Sequence, residues 1–161
     1  MRMRDRFWMS AGRLALAIVL SGCGADEPPS PPPAPRIAWT ADVTAGLARA
    51  KAAGRPVLLA LVSGASNGCR ELESGPFASL PVIEAARPFV AVRVDVDTDK
   101  ASARAFRVAV VPDVRFLDPE GRETGRLRNR RAGESWSDGA VMEQLRAYAG
   151  APSAAGTPPI Q

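Results

Sequence analysis

Six consecutive apolar residues, Val57-Leu58-Leu59-Ala60-Leu61-Val62, constrain this chain more than any other feature. A strand sends successive side chains to opposite faces, so an unbroken apolar run needs cover on both. That demand points to a sheet with helices on each side. The flanking patterns agree. Gly54 and Pro56 end an amphipathic stretch over about 41–53, in which Thr40 is placed to cap a helix and Val43, Leu47 and Ala50 share one face. After the run comes a loop at 63–65, then helical patterning over about 67–74, which breaks at Gly75-Pro76 and resumes over about 80–87.

Phe89 to Val96 alternates, with Val90, Val92, Val94 and Val96 on one face. A short helix over about 100–106 turns Ala103 and Phe106 inward, and Val110-Val111-Pro112 opens a strand running to Leu117. Asp118-Pro119-Glu120-Gly121 reads as a turn, because proline presets φ and glycine accepts a positive φ. A second strand over about 122–128 returns antiparallel, and a last helix over about 137–148 buries Val141, Leu145 and Tyr148. The order is α-β-α-β-α-β-β-α. Strands joined by helices argue for parallel pairing, with the closing hairpin adding antiparallel strands. With 46% hydrophobic residues over the whole chain, there is enough apolar side chain for the stretch 37–149 to build one ordinary core.

The flanks differ in kind. Residues 24–36 hold six prolines, Pro28, Pro29, Pro31, Pro32, Pro33 and Pro35, and favour an extended spacer of about 40 Å at full reach. Residues 150–161 are small and polar and read as a disordered tail. Arg2, Arg4, Arg6 and Arg13 precede a short apolar stretch, Leu14 to Leu20, which has the layout of a secretory signal over residues 1–22 and is too short to span a bilayer. Removing residues 1–22 takes away four arginines and Asp5, which reduces the nominal +4 to about +1. Nucleic-acid binding is therefore not indicated.

Leu20-Ser21-Gly22-Cys23 resembles a bacterial lipobox at all four positions. The resemblance implies cleavage before Cys23 and lipidation of its sulfur, giving a membrane partner through a stable multi-chain anchor. Gly24, rather than aspartate, follows the cysteine, which in Gram-negative envelopes implies sorting to the outer membrane, facing the periplasm. The competing reading is an uncleaved signal anchor with Cys23 as a bystander.

Within 37–149 several stretches resemble the thioredoxin-like fold family, and most of all its envelope and secreted members. These are Ala50-Lys51-Ala52-Ala53-Gly54-Arg55-Pro56-Val57-Leu58-Leu59, Cys69-Arg70-Glu71-Leu72-Glu73 with Phe77 and Val82 beyond, Phe89 to Asp95, and Val111-Pro112 followed by Phe116 to Gly121. The resemblance implies an α/β fold, with a mixed central sheet flanked by helices and an extra N-terminal helix.

The active-site motif departs from the family. Trp-Cys-x-x-Cys-Lys stands here as Ala65-Ser66-Asn67-Gly68-Cys69-Arg70, and the usual threonine after the proline is Asp113. In the family the first thiol sits at a helix N-terminus, attacks a disulfide, and is resolved by the second. Serine needs a strong base for such a role, and this chain has no histidine. Ser66 fits a helix N-cap better, its oxygen accepting from the N–H of Gly68 or Cys69. Cys69 reads as an inert buried thiol or as a monothiol catalytic residue forming a mixed disulfide or sulfenic acid. Pro112 is cis in the family and the residue before it pairs with an extended peptide, so Ser66, Val111 and Pro112 form the implied binding groove for a peptide or protein partner.

Three functions follow: a lipid-anchored binding or accessory module related to thiol-disulfide homeostasis, a monothiol disulfide oxidoreductase acting through Cys69, and a structural envelope lipoprotein. No cofactor is implied. One free thiol and no histidine disfavour zinc or copper, and Asp95, Asp97 and Asp99 match a calcium loop only loosely. Arg126, Arg128, Arg130 and Arg131 form a basic patch, read as a solvated loop or as a contact for anionic lipid.

Overall fold

A computed structural model describes residues 33–128 and 134–150. The signal and lipobox with Cys23, the linker up to residue 32, Arg130, Arg131 and the tail beyond Gly150 lie outside the described residues. Among the described residues, no helix is long and apolar enough to cross a membrane.

Helix α1 (Val43–Ala53) leads into strand β1 (Val57–Val62). Then come α2 (Asn67–Ser74), a 3-10 turn (Pro76–Ala78) and α3 (Leu80–Ala86). Strand β2 (Val90–Asp95), α4 (Lys100–Ala105), β3 (Asp113–Leu117), β4 (Glu123–Arg126) and α5 (Asp138–Ala149) complete the order. The sheet runs β2-β1-β3-β4. This is the architecture the resemblance implies.

One expectation is corrected in part. β1 and β2 are parallel, Val57 facing Val90, but β3 lies antiparallel on the other edge of β1, although a helix joins it to β2. The crossover carries the chain past β1 rather than back beside β2, and the strand direction reverses. β4 then returns antiparallel on β3 across the predicted Asp118–Gly121 turn.

Every residue of β1 is buried, because both faces are covered. Leu58, Ala60 and Val62 join Ala91, Val114 and Phe116 under α2, α3 and α5, with Leu72, Val82, Val141 and Leu145 closing that side. Val57, Leu59 and Leu61 join Val90, Val92, Val94 and Leu117 on the other side, where Ala50 and Phe106 cover them. The alternation of β2 thus splits between two cores, as its sequence pattern requires.

A second correction concerns the start of α1. Asp42, not Thr40, is its N-cap, accepting from the Ala45 N–H at 2.9 Å. Thr40 is engaged elsewhere, since its backbone bridges β2 by accepting from Arg93 and donating to Ala91. The helix ends as expected at Gly54, whose φ of 62° favours glycine.

Candidate functional site

The chain leaves β1 at Val62 and enters α2 five residues later, so the loop 63–66 sits at the C-terminal edge of a central strand. Side chains organise this loop. The Ser63 hydroxyl donates to Asp97 Oδ2 at 2.6 Å and accepts from the Ala65 N–H at 3.1 Å. Ser66 has extended backbone and caps α2, its Oγ accepting from the Cys69 N–H at 3.3 Å. That satisfies one of the orphan donors at the helix start and fulfils the capping expectation.

Cys69 lies one turn in. It is 0% exposed and packed in the core with Val62 and Leu72. Its Sγ accepts from the Ser63 N–H at 3.4 Å. Arg70, its neighbour in sequence, turns away. The guanidinium donates to the Gly64 carbonyl at 2.6 Å and to the Asn67 side chain. Neighbours on a helix face different directions, so this cation holds the loop rather than the sulfur.

The Val111–Pro112 bond is cis. Pro112 stands against the first turn of α2: a Cβ placed on Gly68 would lie 3.3 Å from Pro112 Cδ. Ser66, Gly68 and Pro112 are thereby brought together, with Val111 packed partly against the Cys69 side of the core and Val110 77% exposed. The sequence placed the strand opening at Val110; the extended ladder begins only at Asp113, after the cis bond.

Asp113 starts an ionic cluster that sequence reasoning missed. Arg115 is only 3% exposed. Its guanidinium donates to Asp113 Oδ2 at 2.6 Å, to Glu123 Oε2 at 3.2 Å and to the Phe106 carbonyl at 2.6 Å. Arg126 closes the set from β4 against Glu123 at 2.6 Å and Asp113 at 3.5 Å. The Glu123 hydrogen bond, and then the nearby charge of Asp113, raises the basicity of Arg126 against the opposing effect of burial. The expected basic patch loses this member to two carboxylates. The available signal was an arginine inside the strand Asp113-Val114-Arg115-Phe116-Leu117, alternating with core residues.

The three aspartates of the loose calcium pattern have separate tasks. Asp95 accepts from the Asp97 N–H, Asp97 takes the Ser63 hydroxyl, and Asp99 caps α4. Among the described residues, no group of three or more histidine, cysteine or acidic side chains is arranged to hold a metal.

Residues 38–119 match the family model described as thioredoxin-like. The chain belongs to the thioredoxin-like family. This thioredoxin-like chain is similar to a thioredoxin from Thermus thermophilus at 27% identity and TM-score 0.58, over 69% of this chain and 85% of that one. It is also similar to Trxlp from Edwardsiella tarda EIB202 at 27% identity and TM-score 0.50, over 66% of this chain and 97% of that one. DsbH oxidoreductase shares the fold, at 16% identity and TM-score 0.58, over 76% of this chain and 92% of that one. No curated protein matches the thioredoxin-like chain.

Proposed function

We propose that this thioredoxin-like protein is a lipid-anchored accessory or binding module of the bacterial envelope, not a two-cysteine oxidoreductase. The observation that carries the proposal is the state of the motif. Ser66 serves as a helix cap on the Cys69 N–H, and the Cys69 thiol is fully buried. Exchange through a Cys-x-x-Cys pair needs an exposed attacking thiolate and a resolving partner. Ser66-Asn67-Gly68-Cys69 supplies a hydroxyl with no adjacent base and a thiol with no route out.

What this site retains is a surface. Pro112 beside Gly68, half-buried Val111 and exposed Val110 present an edge that suits an extended peptide, held by backbone pairing at Val111. Cys23 carries the lipid, residues 24–36 tether the domain, and the outer membrane facing the periplasm is its location; the lipobox Leu20-Ser21-Gly22-Cys23 and Gly24 support this part. Burial of Cys69 argues against the monothiol reading.

The test is insulin reduction by the full-length protein, beside the Ser66→Cys variant. The wild type is expected to show no turnover above background, and the variant to gain it by restoring the pair. Robust wild-type turnover overturns the proposal. Mass spectrometry of envelope-derived protein checks the anchor: an unmodified Cys23 overturns that part alone.

A further inference from the structure

The opposite end of the parallel pair β1–β2 holds a cavity of about 480 Å³ lined by Arg36, Arg49, Arg55 and Arg87. It lies where β1 and β2 begin, whereas Ser66 and Cys69 follow the end of β1. Arg55 is fixed in an unusual way. Its Nε donates to the Pro88 carbonyl at 2.9 Å, and its Nη2 donates to the Phe89 carbonyl at 2.8 Å and to that of Arg87. These neutral carbonyls orient the guanidinium without cancelling its charge, and both donors of Nη1 remain outside those bonds. Arg87 pairs with exposed Glu84 at 2.8 Å. Among the described residues, Arg36, Arg49 and Arg55 have no carboxylate partner within ion-pair distance. Elsewhere this chain neutralises its strand arginines: Arg93 meets Glu73, and Arg115 meets Asp113 and Glu123.

We propose that this cavity binds a phosphate-bearing amphiphile, with the phosphate on the guanidinium groups of Arg36, Arg49 and Arg55 and the apolar chain over Pro35 and Ala38. A tetrahedral dianion can take bonds from several guanidinium forks that line one cavity, and one fork already held in place, that of Arg55, loses little freedom on binding. The volume is that of a small-molecule site. The exposed apolar part of the wall, which includes Pro35 and Ala38 above the buried Ile37, Ile83 and Phe89, separates this ligand from a simple inorganic anion. The site is independent of any lipid on Cys23 and of the Ser66–Cys69 motif. The same chemistry is offered by a phospholipid headgroup and by a soluble phosphate ester.

Titration calorimetry on the full-length protein in neutral detergent tests the proposal, using dihexanoyl phosphatidic acid, glycerol 3-phosphate and dihexanoyl phosphatidylcholine as probes. Phosphatidic acid is expected to bind saturably, glycerol 3-phosphate to compete at least about tenfold more weakly, and phosphatidylcholine not to bind. Arg36→Gln with Arg49→Gln, both exposed and unpaired so that folding is unaffected, should weaken phosphatidic acid by about 100-fold, while Arg104→Gln on α4 leaves it unchanged. Undiminished binding in the double variant overturns the site. Equal affinity for glycerol 3-phosphate assigns soluble esters and overturns the amphiphile; tighter binding of a polyglutamate peptide overturns both in favour of a protein partner.

Discussion

Two neighbouring regions flank Pro112 and solve the same problem in opposite ways. On one side, the start of α2 places a hydroxyl and a thiol near the core and satisfies them with backbone N–H groups, from Cys69 to Ser66 Oγ and from Ser63 to Cys69 Sγ. On the other, β3 and β4 bury an arginine and surround it with two carboxylates and a second arginine. Each neutral contact contributes about 1 kcal/mol at most, whereas removing one member of a buried ionic set leaves an uncompensated charge. The first region can therefore change its side chains at little cost in fold, and the second cannot. That asymmetry leaves the chemistry at the α2 start free to vary while the adjoining strand stays fixed.

The contrast is broken most directly at Arg115. Arg115→Ala is expected to lower unfolding free energy by about 3–5 kcal/mol, read by urea denaturation, because Asp113 and Glu123 lose their buried partner. Arg115→Met is expected to restore part of that only when Asp113 and Glu123 are also made apolar. A loss under about 1 kcal/mol in Arg115→Ala would place the cluster in the solvated class and remove the difference between the two regions.

Cys69 comes next. Cys69→Ala removes one buried sulfur from a closed core and is expected to cost about 1–2 kcal/mol, with no effect on any partner bound at Val111–Pro112. The accompanying readout is thiol labelling of the folded protein, which should be slow and accelerate sharply in denaturant. Fast labelling under native conditions would show the thiol reachable and restore the monothiol reading.

The sequence carried the layered fold because burial on both faces has a visible signature, the unbroken run from Val57 to Val62, and because β2 alternates between two cores. Cap and turn positions were readable where local chemistry decides, at Ser66, Gly54 and Gly121. Thr40 failed as a cap because a long-range bridge to β2 claimed its backbone, which no local pattern reveals. The direction of β3 was likewise set by which edge of β1 remained open. Arg115 was missed for a related reason. Asp113 is two residues away on the same strand, but the Phe106 carbonyl and Glu123 lie outside β3, and only folding brings them to it. Ser63 with Asp97 is a pair of the same sort, 34 residues apart.

Ser66 sharpens the neutral side of the comparison. Ser66→Ala should cost about 1 kcal/mol, the usual value of an N-cap, and Ser66→Asp should recover it at neutral pH. Urea midpoints of the three proteins check this. A loss above about 3 kcal/mol would mean that the hydroxyl has a partner beyond the Cys69 N–H.

The smallest effect is expected at α4, where the cap is a charged one. Asp99 accepts from Ser102, through the hydroxyl first and then the N–H at 2.9 Å, and these bonds hold its carboxyl below the usual aspartate range. A depressed folded-state value means that the unfolded chain takes up the proton first. The contribution of Asp99 is therefore complete above the unfolded value of about 3.9 and fades as pH falls through the lower folded value. Asp99→Asn keeps an acceptor and removes the titration. Amide exchange at Ser102 should accordingly be protected in both proteins at pH 6, and as pH falls below the ordinary aspartate range the wild type should lose protection while the variant does not. Protection that fades equally in both would show that the acid sensitivity of this helix does not come from Asp99.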